Sequence, residues 1–134
     1  MKKLLLLFLV SGLSKICLAQ DVNFYNLYFE GNALLVKGQY DKAIEKYNLA
    51  IKQSPQSDFL YYNRGNAYYN KKDYPNAILD YDKTLKINNA YAEAYCQRGL
   101  VKNSTGDKTG CDDIKKAIKL ELEDAKEAFK KSCK

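Results

Sequence analysis

YYNRGNAYYNKKDYPNAILDYDKTL, residues 61–85, is the stretch that decides the fold. Tyr61, Gly65, Tyr68, Lys72, Tyr74, Ala77, Tyr81 and Thr84 lie within or at the edges of its apolar pattern, and 34 residues earlier Leu27, Gly31, Leu34, Gly38, Tyr40, Ala43, Tyr47 and Ala50 hold the same places. Gly99 and Gly106 carry the phase through a third period. Small residues recur where two helices would touch, and tyrosines fill the gaps between them. A period of this length is that of a helix-turn-helix unit. One such unit cannot bury its apolar face alone, so the units must stack on their neighbours.

The pattern places the repeats at 24–57, 58–91 and 92–120. In the first, a helix is expected from about Phe24 to Lys37, a turn at Gly38-Gln39, and a return helix from about Asp41 to Gln53, stopped by Ser54-Pro55. In the second, the break falls at Lys71 to Asp73. Asp73 can cap the following helix and Pro75 fits its first turn, where a missing N–H costs nothing. The third departs from the pattern: Ala117 falls one residue early, so Thr109-Gly110-Cys111 carries a one-residue deletion. Lys102, Asn103 and Lys108 replace aromatics there, which suits the end of an array. Leu122, Ala125, Ala128 and Phe129 then share one face of a last segment, a capping helix at 122–132. Tyr40, Tyr47, Tyr68, Tyr74 and Tyr81 read as packing residues.

Residues 24 to about 120 resemble the tetratricopeptide repeat family. The resemblance implies an all-α solenoid of three repeats with a C-terminal capping helix, acting as a non-enzymatic protein-interaction scaffold that holds a peptide or a partner's helix in a concave groove. By the family pattern the groove is lined by the second, fifth, ninth, twelfth and thirteenth residues of each repeat. These are Tyr25, Tyr28, Asn32, Leu35 and Val36, then Phe59, Tyr62, Asn66, Tyr69 and Asn70, then Glu93, Cys96, Leu100, Asn103 and Ser104. Tyr28, Asn32, Phe59, Tyr62, Asn63, Asn66 and Tyr69 are the expected binding residues. Asparagine amides both donate to and accept from a peptide backbone, and tyrosine rings add contact area at low rotamer cost. Chaperone-binding members clamp a partner's terminal carboxylate with two asparagines and three cations. Asn32 and Asn63 match the asparagines, but Tyr28, Glu93 and Gln97 stand in the cationic places, so a carboxylate clamp of that kind is not expected here.

The 134 residues suffice for one domain, expected at 20–134. The first 19 are of another kind: Lys2 and Lys3 precede an apolar run from Leu4 to Val10, and Cys17-Leu18-Ala19 offers small residues to a signal peptidase. This reads as a cleaved signal peptide, hence an exported protein, periplasmic or secreted and of bacterial origin, with no membrane span after cleavage. Ser14-Lys15-Ile16 fits poorly before an acylated cysteine. A eukaryotic secretory origin stays open, with Asn103-Ser104-Thr105 then a glycosylation sequon.

The formal charge of +6 falls once Lys2, Lys3 and Lys15 are removed, leaving 19 basic against 16 acidic side chains. Charges alternate along the helices, and no stripe of one sign invites nucleic acid. The chain holds no histidine, which removes the usual general base and most zinc sites. Neither a metal nor a cofactor is expected. Beyond Cys17 the cysteines are Cys96, Cys111 and Cys133. A turn at Leu120 to Leu122 would bring Cys111 and Cys133 together as a disulfide, leaving Cys96 as a small, half-buried thiol. Two rival functions remain at this point: a structural subunit that stacks on copies of itself as a homo-oligomer, and a thiol-dependent redox protein.

Overall fold

The computed structural model describes residues 23–133. The expected signal peptide at 1–19 and the lead that follows it lie outside the described residues. Among the described residues seven helices follow one another: α1 (23–36), α2 (Tyr40–Gln53), α3 (Asp58–Asn70), α4 (Tyr74–Ile87), α5 (Ala92–Ser104), α6 (Gly110–Lys119) and α7 (Glu123–Ser132). No strand occurs among the described residues. The molecule is an all-α array in which each helix packs on the next in the chain, and α7 lies against α6 and α5.

The three tight turns inside the helix pairs share one backbone device. Gly38, Lys72 and Gly106, each 34 residues from the next, have φ of 72°, 65° and 89°. This left-handed step lets the chain reverse within three residues after α1 and α3. Glycine takes it without steric cost, whereas Lys72 holds its Cβ near the following carbonyl. Asp73 then caps α4 by accepting from the Asn76 N–H, and Pro75 sits in the first turn.

Close approach explains the glycines that carry the phase. A Cβ on Gly31 would stand 2.7 Å from Tyr47 Cε1, and one on Gly65 would stand 2.8 Å from Tyr81 Cε1. Tyr47 and Tyr81 are fully buried. Each ring lies flat against a helix that has no side chain at that point. In the third pair Ile114 replaces the tyrosine, and α5 meets α6 almost backbone to backbone, since a Cβ on Gly99 would lie 2.5 Å from the Gly110 carbonyl. The deletion shows here. α6 starts four residues after Gly106, whereas α2 and α4 start two residues after Gly38 and Lys72.

The core is three linked clusters. Phe24, Ala43, Ile44, Tyr47, Ala50, Leu60 and Ala67 join α1, α2 and α3. Ala77 and Tyr81 meet Val101 where α4 packs on α5. Cys96, Ile114, Ala117 and Ala125 close the array between α5, α6 and α7. This is nearest-neighbour packing, in which each pair lends its apolar face to the next.

A polar ladder runs along the same seam. Arg64 binds Asp80 within its own pair through Nε and Nη2, at 2.8 and 2.7 Å, and reaches Asn48 of the preceding pair through Nη1 at 2.6 Å. Arg98 repeats the pattern with Asp113 at 2.8 and 2.6 Å and with Asp82 at 2.6 Å. The first pair inverts the charges, with Glu30 and Lys46 meeting in the places of Arg64 and Asp80.

The turn between α6 and α7 is also left-handed, at Glu121 with φ of 65°. Neither glycine nor proline marks it. It folds α7 back so that Cys111 and Cys133 stand in disulfide geometry, with Cα atoms 5.7 Å apart.

Candidate functional site

The first helix of each pair carries a stripe at i, i+4, i+7 and i+11, which shares one face of the helix. On α1 it is Tyr25, Phe29, Asn32 and Val36; on α3 it is Phe59, Asn63, Asn66 and Asn70; on α5 it is Glu93, Gln97, Leu100 and Ser104. The stripes shift along the array from apolar to amide to mixed polar.

Exposure separates these residues into two groups. Tyr25, Phe29, Val36 and Tyr69 are 51%, 62%, 88% and 39% exposed, four of the six large exposed apolar side chains among the described residues. Tyr28, Phe59 and Tyr62 are half-buried and engaged within the protein. Tyr28 stands edge-on to Phe59 with ring centres 5.0 Å apart, and Phe59 also meets Phe24 at 5.9 Å. Tyr62 stacks on Tyr91 at 4.9 Å and leans on Tyr81 at 5.9 Å. Burial pushes the Tyr62 phenol above its ordinary pKa; the Asn66 amide beside it works the other way, and the Glu93 charge adds to the rise.

The asparagines are divided in the same way. Asn32 and Asn66 each accept from a buried tyrosine hydroxyl one helix behind, Tyr47 at 2.6 Å and Tyr81 at 2.8 Å. Asn63 and Asn70 donate through Nδ2 to the carbonyls of Phe59 and Asn66, one turn earlier on their own helix. Their Oδ1 atoms have no partner among the described residues, and the same holds for Nδ2 of Asn32. The same two helices, α1 and α3, thus carry unpaired amide donors and acceptors and exposed rings.

Phe29 was not among the residues expected from the sequence. It stands at the sixth place of its repeat, outside the five inner positions, yet Asn63 holds that very place in the next repeat. Read one period back, Asn63 points to Phe29. Cys96, expected to be half-buried, is more enclosed at 7% exposure, and burial pushes its thiol pKa up, with the Asp124 and Glu93 carboxylates adding to the shift. A buried thiol with a raised pKa is a poor nucleophile. No group of metal-ligating side chains occurs among the described residues, and no helix there is long and apolar enough to cross a membrane.

The profile of the TPR repeat matches residues 31–72 and 65–106. Small glutamine-rich tetratricopeptide repeat-containing protein 2 of Saccharomyces cerevisiae is 31% identical over 107 residues, which is 79% of this chain and 31% of that protein. RNA polymerase II-associated protein 3 of Xenopus tropicalis is 33% identical over 94 residues, 69% of this chain and 14% of that protein. The chain therefore spans about a third or less of the length of these curated relatives. Among solved structures, the first TPR of Spaghetti (RPAP3) bound to the HSP90 peptide SRMEEVD superposes with a TM-score of 0.77 at 26% identity, covering 81% of this chain and 89% of that one.

These relatives correct the expected location. They are proteins of a yeast and a frog, one of them named for association with RNA polymerase II, and they point to the interior of a eukaryotic cell rather than to a bacterial periplasm or a secreted pool. The composition of residues 1–19 is the one cue to export, and it carries no geometry to set against these relatives. The repeats themselves are unaffected: with the profile running from Gly31 to Gly106 over the helix pairs just described, the chain belongs to the tetratricopeptide repeat family.

Proposed function

We propose that the chain is a protein-interaction scaffold that binds an extended peptide across the stripes of α1 and α3. The observation that carries this reading is the exposure of Tyr25, Phe29 and Val36 on α1 and of Tyr69 on α3, the same two helices that carry the unpaired amide atoms of Asn32, Asn63 and Asn70. Aromatic side chains supply desolvation energy, and amides of both polarities match a peptide backbone, which offers a donor and an acceptor at each residue. Tyr28, Asn32, Phe59, Tyr62, Asn63, Asn66 and Tyr69 remain the core of the proposed surface, with Tyr25, Phe29 and Val36 added to it. In this division Phe59 and Tyr62 shape the floor, and the exposed rings touch the ligand.

The ligand differs from the acidic tail held by the solved relative. Tyr28, Glu93 and Gln97 occupy the places that would grip a terminal carboxylate, and Glu93 is exposed. The favoured ligand has apolar side chains and no acidic terminus. Selection from a displayed peptide library, followed by fluorescence anisotropy on the winning sequence and on SRMEEVD, tests both statements. Winners rich in aromatic or aliphatic residues, released by the Phe29→Ala change, would support the reading. Tight binding of SRMEEVD, or binding indifferent to Tyr25, Phe29 and Tyr69, would overturn it.

A further inference from the structure

Helix α7 closes the array, yet little of it is held by packing. Ala125 is its only fully buried side chain, while Leu122, Ala128 and Phe129 are half-buried against α5 and α6. At ten residues it is shorter than a helix that persists alone in water. It is entered through Glu121 in a left-handed conformation that favours glycine. Its far end is fixed differently. Cys133 stands in disulfide geometry with Cys111 of α6, and Asn103 of α5 directs its Nδ2 at both sulfurs, 3.3 Å from Cys111 and 3.4 Å from Cys133. The same amide lies 3.4 Å from Ser132 Oγ. Three helices therefore meet at one pair of sulfurs.

Under α7 lies Cys96, in the cluster with Ala125, Phe129 and Cys133. It stands on α5 one turn beyond Glu93. The position of α7 thus decides whether this thiol meets solvent.

We propose that Cys111 and Cys133 form a thiol-operated latch on the capping helix. With the bond closed, α7 stays docked, Cys96 is covered and the third helix pair has its wall. Opening follows ordinary exchange with a monothiol of the glutathione class. Its thiolate attacks one sulfur, the S–S bond breaks, and the other cysteine leaves as a thiolate and takes a proton. A second monothiol then attacks the mixed disulfide and frees the first cysteine. Two electrons pass to the protein, and the monothiol leaves as its oxidised dimer. Both cysteines are half-buried, which leaves the bond within reach of a small thiol. Once open, α7 is kept by its thin apolar face and the long Asn103–Ser132 hydrogen bond, and it undocks from a core that stays folded through its own neighbour contacts. The motion of α7 does not rest on the peptide-binding reading above.

The test needs no ligand. Cys96 is alkylated with N-ethylmaleimide under native conditions in the oxidised parent chain and in the Cys111→Ser, Cys133→Ser variant, where it is the only cysteine from residue 20 onward. The rate in the variant should rise about tenfold or more, as local opening replaces a docked state. Hydrogen exchange on the parent chain, with and without reduced glutathione, supplies a measurement without mutation: added exchange should be confined to residues 122–133. Equal alkylation rates in the two proteins, or an exchange pattern unchanged by glutathione, would overturn the latch, as would unfolding of the whole array on reduction. A failure of peptide binding with the latch behaviour intact would count against the groove alone.

Discussion

Arg64 holds Asp80 with two parallel hydrogen bonds while its third nitrogen crosses to Asn48 of the preceding helix pair. Both side chains are largely buried, at 19% and 7% exposure. Removing one partner from such a pair strands the other. Arg64→Ala should therefore lower stability by about 3–5 kcal/mol, read from urea denaturation, because the Asp80 charge is left without its counter-ion. Arg64→Met combined with Asp80→Leu should recover most of that loss, since the pair's cost of desolvation is removed with it. If the single change costs no more than an exposed ion pair would, the ladder is ornamental to stability.

That ladder shows where the sequence was legible and where it was not. The glycines, alanines and tyrosines of the 34-residue period announce the helices, because small-against-large packing leaves a mark at fixed spacing whatever the neighbours are. Arg64 and Arg98 are just as periodic, and their acids lie 16 and 15 residues on, but the first repeat reverses the signs with Glu30 and Lys46. A position that conserves pairing rather than residue type gives no recurring letter. The binding surface was blurred for a related reason. Tyr62 and Tyr69 look alike in sequence, and only the fold decides that one stacks on Tyr91 while the other faces solvent. The turn before α7 left no local mark, because Glu121 takes a conformation that sequence reading assigns to glycine, and only the pairing of Cys111 with Cys133 called for it.

Lys72 allows a gain of stability to be predicted. Its φ of 65° puts it in the left-handed region where Gly38 and Gly106 serve the same turn in the other repeats. Lys72→Gly should stabilise the chain by up to about 1 kcal/mol, the relief of the Cβ clash exceeding the added freedom of the unfolded chain. Gly65→Ala should act in the opposite sense, by about 1–3 kcal/mol, because the new methyl meets the Tyr81 ring in a closed core. Thermal unfolding of the two variants side by side checks both signs.

Alkaline pH should unfold the protein through its tyrosines. Burial holds the phenols of Tyr47, Tyr81 and Tyr91 well above the ordinary tyrosine pKa. The folded state keeps their protons where the unfolded state releases them. Their stabilising contribution is thus complete below the unfolded value of about 10 and is lost as pH rises from there toward the raised values. Urea midpoints should fall over that range, with tyrosinate absorbance rising in step with unfolding. Tyr81→Phe should make the fall shallower, although at neutral pH it costs about 1 kcal/mol for the Asn66 acceptor left without its hydroxyl.

The proposed peptide surface is tested most sharply by comparing two aromatic residues that differ in what they already touch. Phe29 is 62% exposed, so Phe29→Ala leaves no cavity in the core. It should leave the urea midpoint nearly unchanged while weakening a selected apolar peptide by about 1–3 kcal/mol, the range of an aromatic contact residue. Tyr62→Ala removes a ring packed between Tyr91 and Tyr81, and it should cost about 3–5 kcal/mol of stability before any loss of binding is counted. Anisotropy and denaturation on the same protein samples separate the two effects. Should Phe29→Ala bind as tightly as the parent chain while Tyr62→Ala folds normally, the exposed rings are not the contact surface, and the division between floor and contact drawn from their exposures fails with them.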